Sequence, residues 1–308
     1  MLRILLIIAP LFLVIGLGNI LKRRRLMPTE YIQARNLLLS YVFLPLLLFY
    51  NIHASNLTEV FNPVHLAILA ACTVIVFVLS YPLGHALELS AYETNTFAAN
   101  NYRSNIAFIG LPVCYYVFGD EGLTIASIML ALIVPLNNVI GIIAFSSASF
   151  DLCGIKNLLR DTFLNPIIIG GIIGIIFSLL QISLPDFLHR TFKILVGMVM
   201  PIALLNIGAS ISIEYIRGNY RVLAISSLIK LLILPAMALA VFYALGIHSF
   251  TMLEKVLIIM LACPSAQVNY VLSATMKGAP ELAISGIVSS TLLSVFSFLF
   301  WLSLLTFL

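Results

Sequence analysis

Asn100-Asn101-Tyr102-Arg103-Ser104-Asn105 interrupts an apolar run that continues to Gly110-Leu111-Pro112. Three amides, a hydroxyl and a guanidinium occupy a depth where the flanking residues expect hydrocarbon. Polar groups of this kind are costly inside a bilayer and are kept where protein or a wet cavity surrounds them. A second interruption, Cys263-Pro264-Ser265-Ala266-Gln267-Val268-Asn269, lies in a later apolar run. The two breaks are expected to face each other and to form one site.

The chain around them has 308 residues, 62% hydrophobic and only 9% charged. A soluble domain carries about 25% charge, so this chain cannot cover a water-facing surface. Apolar runs of about 20 residues recur along its length, the mark of a polytopic helical membrane protein. The alternation of a transmembrane barrel is absent. Ten spans are expected, at about 4–21, 37–54, 64–87, 96–118, 123–149, 166–184, 192–213, 222–245, 252–276 and 282–308. Their short connections leave no room for a soluble catalytic module.

Charge sets the expected topology. Lys22-Arg23-Arg24-Arg25 follows the first apolar run instead of preceding it, so that run reads as a retained helix. Placing this loop inside puts Arg35, Lys156, Arg160, Arg217, Arg221 and Lys277 on the same side. Arg3, Arg190, Lys193 and Lys255 fall on the other. The bias places both termini outside, in what is expected to be a bacterial plasma membrane. Scattered short-loop charges of this kind do not point to nucleic acid. Cys72, Cys114, Cys153 and Cys263 show no paired spacing, so neither a metal site nor a disulfide framework is expected. No cofactor motif and no His-Glu-x-x-His stands in the chain, so no enzyme is expected. The five histidines fall at or near span ends, where contact with water is the default.

The halves echo each other. Asn51-Ile52-His53-Ala54-Ser55 after Pro45 recurs as Asn206-Ile207-Gly208-Ala209-Ser210 after Pro201, an offset of 155. Gly119, Leu123, Ile125 and Ile128 match Gly278, Leu282, Ile284 and Ile287 at an offset of 159. The reading is two five-helix repeats, 1–150 and 151–308, with the polar linker 151–161 between them. An odd number of spans inverts the second repeat, and such folds place a solute site near the midplane on discontinuous helices.

Subtracting 159 from Pro264 lands on Asn105. At 1.5 Å per residue Asn105 lies roughly 16 Å from Thr94 and roughly 21 Å from Gly119, near mid-bilayer. Pro112 is then a kink in the outer half-helix. Half-helices are expected to begin near Ile106 and Ala266, with their positive ends directed at the centre. With Arg103 beside them, the site suits an anion, a carboxylate above all. The candidate site residues are Asn101, Arg103, Ser104, Asn105, Asn137, Asn138, Pro264, Ser265 and Gln267. Each carries a bland alternative. Asn105 caps freed backbone; Arg103 snorkels or pairs with Glu88 or Glu93. Asn137, Asn138 and Gln267 make interhelical hydrogen bonds. Lys230 is left between snorkelling and the site, with snorkelling favoured. Asn51, Asn206 and the Gly170-Gly171 and Gly174 face read as helix packing.

At Asn105-Ile-Ala-Phe-Ile-Gly110-Leu-Pro112 the chain resembles the auxin efflux carrier family, which joins plant auxin exporters to bacterial malate and malonate permeases. Pro264 matches that family's mid-membrane proline in the ninth helix, and Pro280-Glu281 matches the opening of its tenth. The departure is Ser104, where plant members often place proline. The resemblance implies broken helices four and nine crossing at mid-membrane. It also implies a scaffold from helices 1, 2, 6 and 7, a transport part from helices 3–5 and 8–10, elevator-like alternating access and a homodimer. The expected function is a secondary transporter exporting a small organic anion, coupled to H+ or Na+ or driven by the membrane potential with no coupling ion. The alternative is a sodium-coupled organic-anion importer resembling bile-acid symporters, with a channel or receptor behind it.

Overall fold

The computed structural model describes residues 2–57, 61–145, 160, 164–212, 214, 216, 220–276 and 278–307. Apart from Arg160, the linker 151–161 lies outside them, as do Cys153, Lys156, Arg217 and Lys277. The described residues form helices: α1 (Leu2–Arg23), α2 (Thr29–Leu38), α3 (Leu44–His53), α4 (Pro63–Ala86), α5 (Ala91–Tyr102), α6 (Leu111–Phe145), α7 (Pro166–Leu179), α8 (Asp186–Ser210), α9 (Tyr220–Leu228), α10 (Leu234–Ala244), α11 (Met252–Leu261), α12 (Val268–Thr275) and α13 (Pro280–Leu305). Seven helical stretches among them are long and apolar enough to cross a membrane. The chain is an integral membrane protein.

Three π-helical turns, among the described residues, share one cause. Leu39–Phe43 precedes Pro45, Ile106–Gly110 precedes Pro112, and Ile229–Ile233 precedes Pro235. A proline has no N–H, and its ring crowds the carbonyl four residues back. Widening the preceding turn relieves that crowding and releases a carbonyl to other donors. At Pro235 the released carbonyl belongs to Leu231. It accepts from Trp301 Nε1 and Ser297 Oγ, both at 2.8 Å.

Helix α6 contains a true interruption. Gly119 has φ 71° and ψ −158°, a left-handed conformation that glycine adopts without a Cβ penalty. It divides the helix close to where the fourth and fifth apolar segments are separated in the sequence.

Two compact units emerge from the packing: Met1–Pro63, Ala107–Pro135 and Thr162–Ile211 in the first, Val64–Ile106, Leu136–Asp161 and Ser212–Leu308 in the second. The first unit is built on close backbone approach. A Cβ added at Gly208 would lie 1.8 Å from the Ile15 carbonyl oxygen, and one at Gly18 2.2 Å from that of Leu205. So α1 and α8 meet along a small-residue seam, the usual solution where lipid offers no hydrophobic drive. Asn19 Nδ2 adds bonds to the carbonyls of Gly208 and Ile211, at 3.2 and 2.6 Å. Gly170 abuts Pro45 and Gly174 abuts Phe49 and Ile52, so the glycine face of α7 serves packing. Asn51 donates to Ser127 Oγ (3.4 Å) and Asn206 to Asn36 Oδ1 (3.1 Å), in line with their reading as packing amides.

The second unit contains both sequence interruptions. Its two broken helices start alike. Ser90 caps α5 in a reciprocal box with Glu93, and Thr251 caps α11 in one with Glu254. Each box satisfies two orphan N–H groups and stabilises its helix start by about 1 kcal/mol. Alongside runs α13, whose buried Ser290 and Thr291 return their hydroxyls to the Gly286 and Ile287 carbonyls at 2.7 Å. Returning the hydroxyl to the helix's own backbone lets these polar residues lie inside an apolar unit.

Candidate functional site

α5 stops at Tyr102 and α11 stops at Leu261, and the two exposed backbone ends satisfy each other. Asn105 N–H donates to the Pro264 carbonyl at 2.8 Å, and Ala266 N–H donates to the Arg103 carbonyl at 3.0 Å. Ser104 and Ser265 thus form an isolated antiparallel bridge. The bonds flank the serine pair instead of joining it, the arrangement that brings two Cα atoms to about 4.5 Å. Unpaired backbone in an apolar interior costs about 1–3 kcal/mol per group. This exchange removes that cost for one donor and one acceptor on each break. Chain direction resumes as a helical turn at Ile106 and as α12 from Val268. Pro112 lies just after the π turn, in the first turn of α6, and the widening precedes it instead of a kink at the proline itself.

The amides of α5 fasten the crossing to its surroundings. Asn100 Nδ2 donates to the Leu282 carbonyl (3.2 Å), while its Oδ1 accepts from Ser265 Oγ (3.0 Å) and Asn269 Nδ2 (3.4 Å). One residue on, a turn of about 100° carries Asn101 to another face. Asn101 donates to Ser80 Oγ (3.0 Å) and accepts from Ser226 Oγ (2.6 Å), so its side chain is used on both sides by helix packing. Ser265 also donates its N–H to Ser290 Oγ at 3.1 Å. Asn105 and Pro264 are buried, and Gln267 is half-buried without capping α12 through its side chain.

Two cations reach the crossing. Arg103, 8% exposed, donates to the Asn137 carbonyl (3.1 Å) and to Asn138 Oδ1 (2.7 Å). It is neither snorkelling nor paired with Glu88 or Glu93; Glu93 is held by Ser90. Tyr102 Oη donates to the same Asn137 carbonyl at 3.0 Å. The Asn137 side-chain oxygen is buried without a partner among the described residues, as is that of Asn269. Lys230 is fully buried, and its Nζ donates to Ser104 Oγ (2.6 Å) and to the Leu261 carbonyl (2.9 Å). Snorkelling, the favoured sequence expectation, is thereby corrected. Lys230 sits in the π turn before Pro235, which changes the face it presents, and its amine binds one atom from each break.

Of the nine sequence candidates, Arg103, Ser104, Asn105, Asn137, Asn138, Pro264 and Ser265 gather within this unit around the crossing. Asn101 lies behind it in the helix packing. Sequence reasoning missed Asn100, which binds the second break directly, and the Leu261 carbonyl. The matched Ser90-x-x-Glu93 and Thr251-x-x-Glu254 boxes were a readable signal that α5 and α11 are equivalent half-helices. His65 also departs from expectation. It is buried, and its Nε2 lies 2.7 Å from Glu254 Oε1.

A family model described as "Membrane transport protein" matches residues 4–152 and 149–302. An uncharacterized transporter of Methanocaldococcus jannaschii is 25% identical over 285 residues, covering 88% of this chain and 89% of that protein. One of Methanothermobacter thermautotrophicus is 24% identical over 287 residues, covering 92% and 93%.

Proposed function

From the premise that the chain belongs to the membrane transport protein family of auxin efflux carriers and their relatives, we propose that it is a secondary transporter for a small organic anion, a carboxylate or dicarboxylate. The observation that carries this reading is charge. Arg103 is buried at the crossing with neutral partners, the Asn137 carbonyl and the Asn138 amide oxygen. A buried guanidinium cannot shed its charge and is stable only when compensated. Among the described residues no carboxylate compensates it. Two helical starts, at Ile106 and Val268, add positive dipole ends at the same place. An anion entering there finds charge, dipoles and the amide of Asn138, with Ser104, Asn105, Ser265 and Gln267 alongside.

We read the chain as ten crossings in a 5+5 inverted repeat, the breaks near mid-membrane and both termini outside a prokaryotic plasma membrane. The exchanged hydrogen bonds support it, because they relate Asn105 and Pro264, the residues that the offset of 159 pairs in sequence. Alternating access would then carry helices 3–5 and 8–10 as the moving part, with helices 1, 2, 6 and 7 as the stationary scaffold and the homodimer contact. The proposed direction is net export.

Proteoliposome flux of labelled malate, malonate and aromatic carboxylates tests the proposal. Saturable flux of at least one anion, lowered tenfold or more by Arg103→Ala with insertion intact, is expected. Absence of flux for all three classes in folded protein, or unchanged kinetics in both Arg103→Ala and Asn105→Ala, would overturn it.

A further inference from the structure

We propose that Lys230 carries a proton into the crossing together with the anion, so that one proton is bound for each anion bound. This rests on the anion-carrier reading above and adds its coupling. Lys230 Nζ has two acceptors, Ser104 Oγ at 2.6 Å and the Leu261 carbonyl at 2.9 Å, and both are neutral. A neutral amine has two N–H bonds, and these two acceptors use both. An ammonium has three. Its third N–H and its full charge have no acceptor among the described residues, at a position fully removed from solvent. The empty site therefore fits the amine, and the occupied site, with a carboxylate oxygen as third acceptor and counter-charge, fits the ammonium. Arg103 cannot make this adjustment because its guanidinium stays charged. Lys230 is the group left to respond when a second negative charge arrives.

The surroundings leave Lys230 as the responsive group. Cys263, which opens the second break, donates its thiol to the Ile259 carbonyl at 3.3 Å. On the elements packed against the π turn, the carboxylates Glu93, Glu254 and Glu281 sit in first helical turns. Glu93 is bound by Ser90, and Glu254 by Thr251 and His65. Tyr102 and Arg103 direct their side chains to Asn137. Tyr220 and Arg221 open α9, Tyr243 lies in the last turn of α10, and Lys255 in the first of α11. The proton enters on Nζ from the aqueous side open to the site, crosses with the anion and leaves when the anion does.

Calorimetry of the full chain in nanodiscs tests this, with malonate titrated at about pH 8 in buffers of different ionisation enthalpy. Malonate is fully ionised there and brings no proton of its own, so the buffer dependence counts protons taken up by the protein. The expected result is about one proton per malonate in the wild type and about none in Lys230→Gln or in Lys230→Arg, whose charge is permanent. Malonate binding without proton uptake in the wild type, or undiminished uptake in Lys230→Gln, overturns the proton role and leaves the carrier reading standing. Failure of malonate, malate and aromatic carboxylates to bind at all overturns both.

Discussion

The Leu231 carbonyl offers a calibrated test of how the second unit tolerates its prolines. Pro235 deprives this oxygen of its helical donor, and Trp301 Nε1 and Ser297 Oγ replace it, each at 2.8 Å. Either donor alone keeps the oxygen satisfied. Trp301→Phe and Ser297→Ala should therefore each cost about 1 kcal/mol, the ordinary net value of one hydrogen bond. The double variant leaves a buried carbonyl with no donor, which adds about 1–3 kcal/mol of desolvation. The predicted coupling is thus at least about 1 kcal/mol, above the average of about 0.6 kcal/mol found for hydrogen bonds inside membranes. Adding Pro235→Ala to the double variant returns an N–H four residues on and should recover roughly half of the loss. Reversible unfolding in mixed micelles, followed by circular dichroism because Trp301 is the only tryptophan, measures the wild type and the four variants. Strict additivity of the single costs, together with no recovery from Pro235→Ala, would refute the account of the π turn.

Asn100→Ala removes bonds to Leu282, Ser265 and Asn269 and should destabilise the protein by about 2 kcal/mol, whereas Asn101→Ala should disturb α4 and α9 packing with less effect on anion affinity; unfolding and calorimetry on both variants separate the two. Gly208→Ala drives a Cβ to 1.8 Å from the Ile15 carbonyl oxygen, while Gly197→Ala meets nothing within 4 Å. The first should lower stability by about 2 kcal/mol or more and the second leave it unchanged or raised, on a thermal-denaturation comparison.

The breaks were legible because hydrocarbon makes polar runs conspicuous. Asn105 and Pro264 were paired by an offset of 159, and the backbone joins these same residues. The glycine seam of α7 was legible for a similar reason, because Gly170, Gly171 and Gly174 interrupt a run of isoleucines. What stayed hidden depends on facing. Asn100 and Asn101 are chemically alike, and one residue of helical rotation decides that the first binds Ser265 and the second binds Ser80 and Ser226. Lys230 was misread because its distance along the span suggested snorkelling, while the π turn at Pro235 directs it inward. The His65–Glu254 contact joins residues far apart in sequence, and no local pattern announces it.

Two interrupted helices clasp each other at Ser104 and Ser265. A flanked antiparallel pair places its Cα atoms at about 4.5 Å, within the range that a disulfide accepts. The direct measurement is cross-linking of Ser104→Cys/Ser265→Cys in native membranes, with Cys72, Cys114, Cys153 and Cys263 replaced. Rapid intramolecular disulfide formation under mild oxidant, absent from a Ser104→Cys/Thr275→Cys control, is the predicted result. Two cysteines that remain reduced and label independently, in protein that is folded and inserted, would contradict it.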